Sequence, residues 1–252
     1  MRILVTNDDG VEAPGLRALV RALRDIGEIV VVAPESEMSA SAHSLTLTRP
    51  LKVKRRSRGV YSVDGTPTDC VYLALFEIVG RDVDLVVSGI NRGWNLGDDI
   101  TYSGTVAAAL EGTLLGCPSF AISTEKARPM PYAPSAAFAR TVAREVLRHG
   151  LPADTYLNVN VPAGPIKGVR LARQGKRTYH DGVATEKGSG GEVLYRIGGY
   201  PEWHEQPGSD IAAFRSGHIT VTPLKVDMTN RAAMKVVSGW KLPPPPARKR
   251  RR

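Results

Sequence analysis

The chain has 252 residues, of which 42% are hydrophobic, and its formal net charge is +9 at pH 7. These values are typical of a globular protein that buries a sizeable core, either as one large domain or as a core with a smaller appendage. No apolar run approaches the ~20 residues of a membrane span, and the N-terminus lacks a signal-peptide pattern, so we expect a cytoplasmic protein without membrane contact. The two cysteines, Cys70 and Cys117, have neither metal-site nor disulfide spacing.

The positive charge is concentrated at the C-terminus. The last five residues, 248–252, are all Lys or Arg and follow a proline run at 243–246, which leaves +4 for the rest of the chain (9 minus 5). We predict a disordered, solvated basic tail in preference to a specific nucleic-acid partner. The mild positive charge of the remainder suits an anionic substrate.

The first predicted element is a short buried strand at 3–5 that runs directly into Thr6, Asn7, Asp8, Asp9 and Gly10. Two adjacent carboxylates repel each other, and a bound divalent cation removes that cost. Ligands of open α/β sheets also bind at the carboxyl ends of the strands. A metal site is therefore one interpretation of this turn, and a solvated polar turn is the other.

The next two segments of the sequence predict a helix and then a strand. Together with the strand at 3–5 they form a strand–helix–strand unit. One apolar stripe with helical spacing ends before Gly27 and consists of Leu16, Leu19, Val20, Leu23 and Ile26. The next buried strand is predicted at Glu28–Pro34. Such a unit implies a parallel sheet.

The loop 35–44 carries four serines and His43, and its beginning should lie beside the Asp8–Asp9 turn. A Ser–His nucleophile is less favoured than a structural or exposed histidine, because no partner is evident. Residues 45–63 alternate imperfectly, which predicts an exposed β-ribbon with a solvated basic section.

The next segment combines a helix start with a loop that could bind a cation. Thr66 followed by Pro67 and, three residues on, Asp69 predicts a capped helix. A buried strand at 81–87 then opens into a loop rich in glycine and asparagine, in which Asn91 and Asn95 offer neutral oxygen ligands suited to a hard cation.

A further helix is predicted to begin at Ser103, Gly104 and Thr105. Its first N–H groups and its hydroxyls would form an anion site, although the same residues also fit a plain helix cap. Strands at 118–123 and 156–161 flank another helix marked by Phe138 and Val142. After residue 162, strand-like pieces at 192–197 and 218–222 predict a β-rich appendage.

These features together resemble the SurE family of metal-dependent nucleoside-monophosphate phosphatases. The resemblance extends to about residue 229 and rests on an ordered set of motifs: Asn7–Gly10, Val32–Pro34, His43–Thr46, Gly65–Cys70, Ser88–Gly93, Tyr102–Thr105, Asn158–Pro162, Arg173–Gln174 and Thr220–Leu224. One departure is Ala42, where many relatives have glycine, and the segment 176–205 cannot be mapped onto the family.

The resemblance implies an α/β fold: a Rossmann-like three-layer core with a mostly parallel sheet over 1–162. It further implies a β-rich hairpin extension over 163–230, used for oligomerisation and site closure, before a C-terminal segment at 231–252. The expected assembly is a homodimer or homotetramer.

The family pattern also implies specific site residues. A divalent cation, Mg²⁺ or Mn²⁺, would be bound by Asp8, Asp9, Ser39 and Asn91, with Asp8 and Asp9 in the catalytic role. The phosphate of a nucleoside monophosphate would be bound by Asn95, Ser103, Gly104 and Thr105. The preferred base, the choice of 5′ over 3′ phosphate and activity on polyphosphate stay open.

Two other classes of protein fit the sequence less well. A magnesium-binding receiver-like domain needs a phospho-accepting aspartate after its third strand, where this chain has Ser88 and Gly89. A dinucleotide-binding module needs a glycine-rich turn, and residues 7–15 lack its GxGxxG pattern. The sequence therefore favours a phosphatase over a non-catalytic nucleotide- or Mg²⁺-binding module.

Overall fold

A central sheet of nine strands is covered by helices, and two further strands form a separate ribbon. These elements come from a computed structural model that describes residues 1–188 and 190–242. The strands are β1 (Arg2–Thr6), β2 (Glu28–Pro34), β3 (Val53–Ser57), β4 (Val60–Val63), β5 (Leu85–Arg92), β6 (Ser119–Thr124), β7 (Thr155–Val161), β8 (Val169–Leu171), β9 (Lys176–Lys187), β10 (Val193–His204) and β11 (Ile219–Lys225). The helices are α1 (Pro14–Leu23), α2 (Pro67–Leu73), α3 (Gly104–Leu114), α4 (Tyr132–His149), α5 (Asp210–Arg215) and α6 (Arg231–Val237).

The central sheet has the strand order β3-β4-β2-β1-β5-β6-β7-β11-β8. The six strands from β4 to β7 run parallel to their neighbours, whereas β3 and β11 pair antiparallel at either side of this block. The carboxyl ends of β1, β5 and β6 therefore lie together at one edge of the sheet. This edge carries the residues that the sequence predicts to be functional.

Separate apolar cores fill the two faces of the sheet. On one face, Ile3 of β1 packs with Leu19 of α1 and Val142 of α4. On the other face, Leu4 of β1 packs with Val71 of α2. Neighbouring residues of β1 thus face opposite cores, as expected for a central strand buried on both sides. The predicted α/β fold with helices on both faces of a mostly parallel sheet is confirmed.

The predicted capping of α2 is present, with both hydrogen bonds of a capping box. The Thr66 hydroxyl accepts from the Asp69 N–H at 3.1 Å, and the Asp69 carboxylate accepts from the Thr66 N–H at 2.9 Å. This reciprocal pair satisfies two N–H groups that lack partners in the helix. A single turn of π-helix, Ala74–Ile78, continues α2.

The region after residue 162 differs from the expectation in two ways. Residues 218–222, predicted for the appendage, belong to β11, which pairs with β7 in the central sheet. Helix α5, capped by Ser209, was not predicted at all. The predicted strand at 192–197 does lie in the separate ribbon, within β10. Strand periodicity identifies an extended segment but not its partner, which explains the first difference.

Two further predictions concern the C-terminal tail and membrane-spanning helices. The basic tail lies outside the described residues and stays a prediction. Within 1–188 and 190–242, no helix has both the length and the apolar character needed to cross a bilayer.

Candidate active site

The turn that follows β1 directs its two carboxylates to different environments. The Asn7 side chain donates to the Gly10 carbonyl at 3.0 Å, and Gly10 has a φ of 99°, which favours glycine. Asp8 is buried, with 6% of its surface exposed, and Asp9 is half-buried. The two aspartates predicted to bind a metal therefore lie side by side at the carboxyl edge of the sheet.

Asp8 contacts the N-terminus of α3 directly. The Thr105 hydroxyl donates to Asp8 Oδ1, and the Thr105 N–H donates to Asp8 Oδ2 at 3.3 Å. Ser103 is the N-cap of the helix, with its hydroxyl accepting from the Val106 N–H at 3.1 Å. The structure thus joins the predicted metal ligand Asp8 to the predicted phosphate-binding segment.

Gly104 lies where three parts of the chain approach each other. A Cβ at this position would lie 2.6 Å from the Ser41 hydroxyl oxygen, 3.1 Å from the Asp8 Cβ and 3.2 Å from Pro67 Cγ. Glycine is required here by this close packing. Ser41 itself was not singled out from the sequence, where it is one of four similar serines. Its buried hydroxyl oxygen has no hydrogen-bond partner in the part of the chain that the structure describes.

The other predicted metal ligands, Asn91 and Ser39, form hydrogen bonds within their own segments of the chain. Asp9 accepts from the Arg92 N–H at 3.2 Å, and the Asn91 side-chain nitrogen donates to the Gly93 carbonyl at 3.0 Å. That bond uses the nitrogen of Asn91, so its amide oxygen is the atom suited to a cation. The exposed Ser39 hydroxyl donates to Glu37 at 2.6 Å. Metal binding by these residues stays a prediction.

Asn95 attaches the loop after β5 to the neighbouring strands β6 and β7 through hydrogen bonds. Its side-chain nitrogen donates to the Ser123 hydroxyl at 2.8 Å, and its backbone N–H donates to Asn160 Oδ1 at 2.7 Å. The amide groups of Asn158 and Asn160 donate to its carbonyl at 2.8 and 3.0 Å. This buried network fixes the loop at the edge of the sheet. Phosphate binding by Asn95 stays a prediction.

His43 has a partner that the sequence did not reveal. Its Nε2 lies 2.7 Å from Oε2 of Glu111, a residue of α3 that is only 4% exposed. A buried carboxylate needs such a partner, because leaving it unpaired is costly. The pair ties the serine-rich loop to α3, which agrees with the structural interpretation of His43.

Burial sets the electrostatics of the aspartate pair. The pKa of Asp8 is raised to about 6: loss of hydration is the largest cause, the Thr105 hydrogen bond opposes it, and the neighbouring charge of Asp9 adds to it. Burial also raises the pKa of Asp9, against the influence of Arg92. Two partly desolvated carboxylates side by side would be stabilised by a cation.

The donor chemistry fits a hard divalent cation. The described residues contain no cluster of three or more His, Cys, Asp or Glu side chains that could hold a metal. The oxygens available at this edge are instead those of two carboxylates, an amide and a hydroxyl, an all-oxygen set of the kind that Mg²⁺ and Mn²⁺ accept.

The raised pKa predicts how the metal-free protein responds to pH. The native state keeps a proton on Asp8 up to about pH 6, whereas the ordinary value is 3.8, so the native state binds more protons between these values. The free energy of unfolding should therefore fall as the pH rises through this interval. The difference of about two pKa units corresponds to about 3 kcal/mol.

Thermal unfolding in EDTA between pH 4 and pH 7 measures this loss. Asp8→Asn, which cannot ionise at this position, should be less sensitive to pH than the unsubstituted protein over the same interval. Equal pH dependence of both proteins would contradict the expectation.

Comparison with known proteins identifies the family to which this chain belongs. The family model described as "Survival protein SurE" matches residues 3–181. A 5′-nucleotidase SurE of Geobacter sulfurreducens is 50% identical over 247 residues, which cover 96% of this chain and 94% of that protein. The corresponding protein of Pelobacter propionicus is 49% identical, covering 95% and 99%. The crystal structure of the SurE protein from Aquifex aeolicus superimposes with a TM-score of 0.85 at 43% identity, covering 94% of this chain and 98% of that one. The chain therefore belongs to the SurE family.

Proposed function

We propose that this protein is a metal-dependent phosphomonoesterase that hydrolyses nucleoside monophosphates to a nucleoside and phosphate. The proposal is supported by the contact between Asp8 and Thr105, which joins a buried carboxylate to a helix N-terminus. The relatives named 5′-nucleotidase, at 49–50% identity over nearly the whole chain, support the substrate class. The same site chemistry would also allow the hydrolysis of 3′-nucleotides and of polyphosphate.

The aspartates would hold the metal together with neutral oxygens. Asp8, Asp9 and the amide oxygen of Asn91 would bind Mg²⁺ or Mn²⁺, and Ser39 would join them by exchanging its Glu37 partner for the cation. A cation bound there supplies positive charge that offsets the charge of the phosphate and makes water more acidic.

The protein residues would position the reactants. Asp8 would orient or deprotonate the attacking water. Thr105 holds the Asp8 carboxylate in one orientation. The N-terminus of α3 and the hydroxyl of Ser103 would bind the phosphate oxygens, because helix N-termini favour anions. Water then replaces the nucleoside oxygen on phosphorus, and the nucleoside leaves as an alcohol.

The ribbon suits a role in oligomer formation. Val183, Tyr195 and Ile197 on β9 and β10 are 57%, 68% and 92% exposed. Apolar side chains exposed together on a two-stranded ribbon favour contact with a second copy. Homodimer or homotetramer formation is therefore part of the proposal, and light scattering of the purified protein tests it.

Phosphate release from a panel of 5′- and 3′-nucleoside monophosphates and polyphosphate tests the activity. The protein is first stripped with EDTA, and Mg²⁺ or Mn²⁺ is then added back. We expect hydrolysis of nucleoside monophosphates only with metal. Full activity in EDTA would contradict the metal requirement, and no nucleotide hydrolysis with any metal would contradict the nucleotidase proposal.

Asn91→Ala is expected to weaken metal binding and to lower turnover in a way that excess metal partly restores. The reason is that the amide oxygen is one of few neutral ligands at this edge of the sheet. Calorimetric titration of Mn²⁺ into both proteins measures the effect. Unchanged metal affinity would show that Asn91 is not a ligand.

A further inference from the structure

A second concave site lies at the same edge of the sheet, beyond the aspartates. It is a cavity of about 630 Å³ whose walls follow the ends of three neighbouring strands: Trp94 after β5, Glu125 after β6 and Pro162 after β7. Trp203 of β10 and Phe214 of α5 also line it. Its size falls within the roughly 300 to 1,000 Å³ that is usual for small-molecule sites.

The cavity has a fixed aromatic wall. The ring centroids of Trp94 and Trp203 are 5.5 Å apart at an interplanar angle of 72°, and those of Trp94 and Phe214 are 5.9 Å apart at 68°. Arg177 stacks on Trp203 at 4.5 Å from the ring centroid. These edge-to-face contacts hold the rings in place. A flat ligand could therefore stack on the wall with little loss of side-chain entropy.

Polar groups line the rest of the cavity. Lys167 and Arg215 supply donors, and Glu125 supplies an acceptor. One oxygen of Glu125 accepts from the Ala163 N–H at 2.9 Å, which orients the carboxylate at the wall. Aromatic faces combined with both donors and acceptors match a nucleobase, which has a flat π surface and an edge of alternating donors and acceptors.

The position of the cavity relative to the aspartates supports one occupant. Trp94 lies three residues after Asn91, and β5 is the direct neighbour of β1. Neighbouring strands are about 4.8 Å apart, so the first wall of the cavity follows a strand that is one strand spacing from the strand of the aspartates. A nucleoside monophosphate with its phosphate beside Asp8 would extend its sugar and base over this distance.

We propose that this cavity binds the base of the nucleoside monophosphate and that Trp94 is its main stacking surface. The inference rests on the proposed function. It assigns substrate recognition to residues that neither the aspartate turn nor the α3 N-terminus includes.

Another cavity, beside Asp9, is the main alternative site for the base. It has a volume of about 470 Å³ and is lined by Asp9, Arg92, Met130 and Tyr132 among others. It presents one aromatic ring, and Arg92 lies 3.9 Å from Glu37 across it. A single ring beside an ion pair is a poorer match to a base than the aromatic wall described above.

Steady-state hydrolysis of adenosine 5′-monophosphate and of ribose 5-phosphate, which lacks the base, tests the proposal. Trp94→Leu should raise KM for the nucleotide about fivefold or more, since stacking of a base on an aromatic side chain is worth about 1–3 kcal/mol. It should leave KM for ribose 5-phosphate unchanged, which also shows that the variant folds. Trp240→Leu, which replaces an exposed tryptophan outside the cavity, is the matched control and should change neither value.

Adenosine binding in EDTA provides a readout that does not need hydrolysis. Titration should quench tryptophan fluorescence in the unsubstituted protein and in Trp240→Leu, and the quenching should be lost in Trp94→Leu. If no nucleotide is hydrolysed but adenosine binds in this way, the proposed function fails and the base site stands.

Three results would overturn the base site itself. Equal nucleotide KM values in Trp94→Leu and the unsubstituted protein would do so while leaving the nucleotidase proposal intact. A raised nucleotide KM in Tyr132→Leu, and not in Trp94→Leu, would place the base beside Asp9. A change in subunit number in Trp94→Leu by light scattering, with adenosine binding retained, would make the cavity a subunit contact.

Discussion

Asp8→Asn is expected to lower kcat/KM for nucleoside monophosphates by about a thousandfold or more, equivalent to about 4 kcal/mol of transition-state stabilisation. The substitution removes one of the two negative charges that would hold the cation, and a cation contributes several kcal/mol to such a reaction. It also removes the carboxylate that would orient the attacking water. Asp9→Asn should have an effect of similar size, because it discards the second charge.

Phosphate release at saturating Mg²⁺ or Mn²⁺ measures the effect of both substitutions. Asp82→Asn is the matched control, since its side chain is 86% exposed and pairs with Arg2 at the surface. This variant should keep the activity of the unsubstituted protein. Normal activity in Asp8→Asn or Asp9→Asn would contradict the proposed catalytic centre.

The position of the site could be predicted because it follows from rules that act along the chain. The apolar run at 3–5 and the periodic helix after it predict a parallel sheet, and parallel strands end at a common edge. Asp8 and Asn91 each directly follow or end such a strand. The sequence therefore predicts that both residues lie at the same edge of the sheet, although it predicts none of their side-chain contacts.

The contacts that shape the site could not be predicted in the same way. Thr105 and Asp8 are 97 residues apart, and His43 and Glu111 are 68 residues apart. Periodicity predicts which face of a helix is buried, but it does not predict which polar side chain lies opposite. The sequence therefore indicated Thr105 as a candidate phosphate-binding residue at a helix start but not as the partner of Asp8, and it did not single out Glu111.

The aromatic cavity was missed for a related reason. Trp203 lies on the ribbon and Phe214 on the short helix α5, and both elements come after residue 162, where the regular alternation of strands and helices ends. Ser209 caps α5 through the Ala212 N–H at 3.2 Å, and a serine followed by an aspartate is a sequence signal for such a start. That signal identifies the helix but gives no indication that Phe214 would meet Trp94.

Thr105→Val is expected to lower kcat/KM by roughly tenfold or more, equivalent to about 1.4 kcal/mol. The hydroxyl donates to the buried Asp8 carboxylate, and hydrogen bonds to charged groups contribute about 1.5–3 kcal/mol. Without this bond the carboxylate loses its fixed orientation, so metal affinity should fall as well. The same hydrogen bond holds the pKa of Asp8 down, and its loss should shift the acidic limb of the pH–rate profile to higher pH.

Two further variants separate this role from simple helix stability. Thr113→Val removes a hydroxyl from the same helix, where it donates to the Ala109 carbonyl at 3.1 Å, and should leave both kcat/KM and the pH profile unchanged. Thr105→Ser keeps the hydroxyl and should retain most of the activity. If Thr105→Val loses only thermal stability, with normal kinetics and a normal pH profile, then the residue merely supports the start of α3. The phosphate and the reacting water would in that case be positioned by other groups, because a change at the only hydroxyl that donates to Asp8 among the described residues would have left the chemistry untouched.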